Sequence, residues 1–207
     1  MSRFPIPAAD AAAPFQTEII IRRSRFLTHC AHTPGMEAAR AFVEQIRTKH
    51  ADATHNCWAF VAGAPGHSGQ VGFSDDGEPH GTAGRPMLQV LLHCGVGEIT
   101  MVVTRWFGGV KLGGRVRAYQ DSVRENLATL PLAEKVPTVE LDVQLDYAHL
   151  DRLHRLLPTF EARVCAEAYD QAARVRICLP EALRGPFEEA IAGRTDGRAR
   201  CTPVEEA

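Results

Sequence analysis

Hydrophobic and polar positions change period several times along this chain, and each change predicts an element. Residues 17–21 and 25–32 read as two short strands joined by the basic turn Arg22-Arg23-Ser24. Thr33-Pro34 then places a capping residue and a first-turn proline ahead of Ala39, Phe42, Val43 and Ile46. Those four recur at helical spacing and predict a helix ending near Lys49-His50. Residues 55–63, with Trp58, Phe60 and Val61, suit a strand; Ala64-Pro65-Gly66-His67-Ser68-Gly69 is hairpin-loop chemistry, and residues 70–73 return as a short strand. Arg85-Pro86 opens an apolar helix carrying Leu88, Leu91 and Leu92, which stops between Gly95 and Gly97. Residues 99–106 are a near-continuous run rich in β-branched residues, the pattern of a strand buried on both faces. The next helix is expected from near Arg115, with Val116, Tyr119, Val123 and Leu127 on one stripe, and Leu130-Pro131 ends it.

Residues 138–203 repeat a different order. Strands are expected at 138–145, 161–168, 174–179 and 198–203, and helices at 147–157 and 180–192. Strand-helix-strand-strand-helix-strand is the split βαβ, ferredoxin-like arrangement. The organisation expected is therefore α+β in two domains: a flexible Ala- and Pro-rich lead over 1–16, a first domain over 17–131, a link over 132–137 and a ferredoxin-like domain over 138–203.

Composition narrows the class. The chain is 45% hydrophobic and 23% charged, ordinary for a soluble domain, and no run approaches the roughly 18 apolar residues of a membrane span. The amino terminus lacks the apolar core of a secretory signal, so a cytoplasmic protein with no membrane partner is expected. Cys30, Cys57, Cys94, Cys165, Cys178 and Cys201 lie far apart in apolar settings without a Cys-x-x-Cys, so they read as buried reduced thiols. Neither a metal site nor a cofactor is expected. Up to Lys135 the chain holds 14 Lys and Arg against 12 Asp and Glu, a net charge of +2, and beyond it 9 against 13, a net charge of -4. Arg105, Lys111, Arg115, Arg117 and Arg124 have only Asp121 and Glu125 as local acids, a pattern suited to a phosphate-bearing partner.

Candidate chemistry concentrates between His55 and Tyr119. Asp75, Asp76 and Glu78 are either a divalent-cation or acid/base cluster or, the preferred reading, a turn, in which one acid can also pair with Arg105 or Arg117. His55 and His80 flank that loop as candidate bases, yet no nucleophile motif accompanies them. Cys57 shares a strand face with His55 and is read as a structural thiol. Gly108-Gly109 and Gly113-Gly114 precede a helix, and either cradle an anion with Lys111 and Arg115 or serve turn geometry alone. Neither standard nucleotide-binding glycine fingerprint is present. Trp106 and Phe107 are candidate stacking platforms, although Arg105 and Trp106 must point to opposite faces of a continuous strand.

Four ordered motifs resemble the signature of the YigZ/IMPACT family. They are His55-Asn56-Cys57-Trp58-Ala59, Phe73-Ser74-Asp75-Asp76-Gly77-Glu78-Pro79, Gly81-Thr82-Ala83-Gly84-Arg85-Pro86, and Thr104-Arg105-Trp106-Phe107-Gly108-Gly109 followed by Lys111-Leu112-Gly113. The resemblance implies a first domain of the βαβ fold shared with domain IV of elongation factor G and a small-subunit ribosomal protein, and a tail like domain V of that factor. It also implies a cytoplasmic protein whose eukaryotic relatives regulate translation with the help of an additional interaction domain. The family usually reads Lys-Leu-Gly-x-Gly-Gly-Leu before the helix. Here Lys111-Leu112-Gly113-Gly114-Arg115-Val116 is shorter and puts Arg115 where leucine is expected, so either Arg115 compensates with its charge or the anion site is weaker.

The function expected is binding of RNA, the ribosome or translation factors, with a regulatory protein as a further partner, rather than catalysis. Arg105, Lys111, Gly113, Gly114, Arg115 and Arg117 would meet phosphate, Trp106 or Phe107 would stack, and Asp75, Asp76 and Glu78 would order the loop. His55, Arg85 and Tyr119 complete the candidate site. The alternative is an enzyme acting on a small phosphorylated or nucleotide substrate at the same glycine-rich loop.

Overall fold

The computed structural model describes residues 3–111 and 117–204, and the chain divides into two units, one of Phe4–Lys135 and one of residues 1–3 with 136–207. The strands of the first unit are Phe4–Pro7 (β1), Phe15–Ile21 (β2), Ser24–His32 (β3), His55–Val61 (β4), Val71–Ser74 (β5), Ile99–Trp106 (β6) and Leu132–Lys135 (β7). Its helices are Gly35–Lys49 (α1), Gly84–His93 (α2) and Ala118–Thr129 (α3).

Five strands form one sheet in the order β2-β3-β6-β4-β5, every pair antiparallel. The apolar run of residues 99–106 becomes β6, the central strand, because it must be covered on both faces. Ile99, Met101 and Val103 pack with Met87 and Leu91 of α2 and with Tyr119 and Val123 of α3. Val102 points the other way, to Phe42, Val43 and Ile46 of α1. This strict alternation sends Arg105 to the α2/α3 face and Trp106 to the α1 face.

Three local expectations are corrected. Residues 4–7 are strand β1 rather than part of a flexible lead, and Leu132–Lys135, expected as link, is its partner β7, with Phe4 opposite Lys135. A pairing between segments so far apart leaves no local period, which is why composition alone missed it. Thr33 does not cap α1: its hydroxyl lies 2.6 Å from that of Thr100, in the buried layer beneath the helix. Glu98, buried and at φ +48°, is held by Lys135 and by the His32 imidazole at 2.6 Å, tying β7 to the sheet. The helix expected from near Arg115 is described only from Ala118, with Leu112, Gly113, Gly114, Arg115 and Val116 outside the described residues.

The second unit contains Thr138–Leu145 (β8), Leu150–Leu156 (α4), Arg163–Tyr169 (β9), Ala173–Pro180 (β10), Arg184–Arg194 (α5) and Arg200–Pro203 (β11). Its sheet runs β11-β8-β10-β9, wholly antiparallel, the split βαβ topology. Leu141, Val143, Val175 and Ile177 on the sheet meet Leu153, Leu156, Phe187 and Ile191 on the helices. The architecture is thus α+β in two units. Not every cysteine is core: Cys165 is exposed, because β9 is an edge strand paired only with β10 and bulged at that point. Among the described residues no helix is long and apolar enough to cross a membrane.

Candidate functional site

A cleft of about 1100 Å³ opens in the first unit at the starts of α2 and α3. The loop between β5 and α2 builds one wall. Asp75 accepts three backbone N–H bonds, from Gly81 (2.7 Å), Ala83 (3.0 Å) and Gly84 (2.8 Å), so its carboxylate serves the N-terminus of α2. Burial alone would push this carboxyl up, and the three donors outweigh it, leaving it below the usual carboxylate range. Gly84 is required there: a Cβ would sit 2.6 Å from the Ser74 carbonyl oxygen. Asp76, at φ +41°, accepts the Asn56 amide at 2.6 Å and Arg47 at 3.3 Å, pinning the loop to β4 and α1. The two aspartates therefore spend their oxygens on donors of the loop, of β4 and of the helices, and Glu78 is the acid of the trio that reaches the cleft.

Glu78 and Arg105 form an ion pair whose side chains are 9% and 7% exposed. Arg105 also donates to Ser24 Oγ at 3.3 Å, and the Tyr119 hydroxyl donates to Glu78 Oε1 at 2.7 Å. Burial, with Cys57 and Glu78 beside it, pushes the Tyr119 phenol far above its ordinary range, so it stays a donor. Cys57 donates its thiol to the Asp75 carbonyl at 3.0 Å, and burial pushes that thiol well up, the opposite of an activated nucleophile. His55 Nδ1 lies 2.8 Å from the Asp76 carbonyl oxygen, and its Nε2 lies 3.9 Å from Glu78 Oε1 at the cleft floor. His80 is fully exposed, with its Nδ1 3.8 Å from Asp75, and does not line the cleft.

Arg85, Lys111 and Arg117 line the cleft as exposed cations, and no ion pair holds any of them among the described residues. Phe107, 49% exposed, lies beside them with its ring centroid 5.5 Å from the Arg105 guanidinium. The sequence thus names residues that the fold divides between floor and rim. Two expectations are corrected by this division. Arg105 is not an open phosphate contact, since the alternation of β6 turns it inward onto Glu78 and Ser24. Trp106 is not a platform in the cleft, since it lies on the opposite sheet face, where its indole donates to Asp52 at 2.8 Å beneath Arg25. Gly113, Gly114 and Arg115 lie outside the described residues. Gly108 is dictated by close backbone approach, since a Cβ there would meet the Arg23 carbonyl oxygen at 1.9 Å.

Ser24, Thr54, Gln89 and Gln120 join the site without any sequence signal. Ser24 stands 81 positions from Arg105, and Thr54 accepts the Phe107 amide at 3.0 Å across 53. Only strand pairing brings them together.

Residues 22–127 match the Impact N-terminal domain, and residues 143–198 match a domain of unknown function, DUF1949. The chain belongs to the IMPACT family. It is 44% identical over 197 residues to IMPACT family member YigZ of Escherichia coli strain K12, covering 94% of this chain and 97% of that one. A crystal structure described as that of a hypothetical protein is 43% identical and matches over 100% of both chains with a TM-score of 0.69. The structure of the two-domain translational regulator Yih1 is 28% identical over 56% of this chain and 46% of its own, at a TM-score of 0.38, a likeness that carries no argument here.

Proposed function

We propose that this protein is an RNA-binding component of the translation apparatus that contacts phosphate through Arg85, Lys111 and Arg117 and stacks a base on Phe107. The observation that carries the reading is the set of three exposed cations without ion-pair partners among the described residues, around a cleft with an exposed aromatic wall. Arg40 and Lys49 are likewise exposed without an ion pair among the described residues, so what sets these three apart is that they line one cleft beside Phe107. Cations left free beside an aromatic face suit a polyanion carrying planar bases. The reading includes a cytoplasmic location, a role in regulating translation, and the likeness of the two units to domains IV and V of elongation factor G. Within it Arg105 and Glu78 form the floor and set its shape.

The test is co-sedimentation with ribosomes and with free structured RNA from low to high salt. Binding is expected to weaken steeply with salt, and Lys111→Ala with Arg117→Ala is expected to lower the slope by about two. An unchanged slope in the double variant removes both residues from the contact.

A further inference from the structure

The cleft has a chemical polarity from floor to rim. At the floor, His55 Nδ1 faces the Asp76 carbonyl oxygen at 2.8 Å. A carbonyl only accepts, so in the neutral ring the proton resides on Nδ1 and Nε2 is a bare acceptor. Among the described residues nothing donates a hydrogen bond to that Nε2. Glu78 uses Oε1 for Arg105 and Tyr119, and its Oε2 receives no hydrogen bond from a described residue. The cleft floor therefore offers two acceptors, His55 Nε2 and Glu78 Oε2, while Arg105 is spent on Glu78 and Ser24 apart from a buried Nε–H that has no partner. Its rim offers the cations Arg85, Lys111 and Arg117, and between the two lies the exposed face of Phe107.

We infer that the cleft holds a single nucleotide whose base carries an exocyclic amine, with the amine at His55 and Glu78, the ring against Phe107 and the phosphate at the rim. This rests on the phosphate-binding reading above and names the ligand unit that the cleft accepts. A volume of about 1100 Å³ is ample for one nucleotide. Cytosine, adenine and guanine each bring an amino donor to the floor. Uracil has a carbonyl oxygen where cytosine has its amine, and hypoxanthine has one where adenine has its amine and a C–H where guanine has its own; each keeps a single ring N–H, which can meet one of the two acceptors and leaves the other unpaired. A site built to receive a donor discriminates strongly against the analogue that lacks it, because its own polar groups are then left unpaired.

The experiment is calorimetric titration of the full chain at pH 8 with the 5′-monophosphates of cytidine, adenosine, guanosine, uridine and inosine. The amino-bearing nucleotides are expected to bind at least about tenfold more tightly than those of uridine and inosine. His55→Phe, which removes one acceptor, is expected to shrink that ratio, while Lys111→Ala with Arg117→Ala weakens all five alike. Equal binding of all five nucleotides overturns the base assignment and leaves the phosphate contact standing. Binding of structured RNA with no mononucleotide bound at millimolar concentration overturns the inference alone. Failure of both RNA and nucleotides removes the reading beneath it as well.

Discussion

The Tyr119 hydroxyl donates to Glu78 Oε1 at 2.7 Å, and the Arg105 guanidinium is paired with that same oxygen. One carboxylate from the β5–α2 loop thus joins the central strand to the start of α3 beneath the cleft. Breaking a buried pair from one side leaves an uncompensated charge. Glu78→Ala is expected to cost about 3–5 kcal/mol and Tyr119→Phe about 1 kcal/mol in urea denaturation. A loss below about 1 kcal/mol for Glu78→Ala would show that Arg105 does not depend on this partner.

Asp75→Ala removes the acceptor of three backbone N–H groups at the start of α2. The expected loss is about 2 kcal/mol near neutral pH. Because the folded Asp75 carboxyl titrates below its ordinary value, its contribution is present above that value and fades as pH falls through the folded one. The stability gap between wild type and variant should therefore narrow between neutral pH and strong acid, and a pH-independent gap would contradict the ion's role.

His29 is fully buried under α1, with its Nε2 3.3 Å from His50 Nε2. Burial, aided by His50 and Lys49, pushes its imidazole down from 6.5 to about 4. Between those values the unfolded chain binds the proton and the folded one does not, so stability should fall as pH drops from 6.5 toward 4. The loss reaches about 3 kcal/mol at most, and His50 is shifted in the same direction. Thermal melts across that window should be steep for wild type and flatter for His29→Asn.

Trp106 and Phe107 are neighbours in sequence on opposite sides of the sheet, so their variants should separate. Phe107→Ala is expected to weaken RNA binding by about 1–3 kcal/mol with little effect on stability. Trp106→Phe, which loses the bond to Asp52, is expected to cost about 1 kcal/mol of stability and to leave binding intact. Filter binding and urea denaturation of both variants read this directly, and the opposite assignment would return Trp106 to the site.

Cys165 is exposed, whereas Cys30, Cys57 and Cys178 are buried. Maleimide labelling followed by peptide mass mapping should modify Cys165 first, and Cys30 and Cys57 only on unfolding. Early modification of Cys57 would mean that the β5–α2 loop opens.

The motifs around His55, Asp75, Gly84 and Arg105 made the family legible in the sequence, and they fall around the cleft, because their spacing is local and carried by residue type. The period of residues 99–106 predicted a two-sided strand, and strand parity already required Arg105 and Trp106 to diverge. Which of them faces the cleft was decided by tertiary structure, since α2 and α3 cover one face and α1 the other. The same holds for β1 with β7, for Ser24 with Arg105 and for the capping of α2 by Asp75. Local residue type determined which chemistry was present in this chain. Long-range pairing, set by burial on both sides of one sheet, decided which charges are neutralised inside and which, among the described residues, stay exposed at the rim without an ion pair.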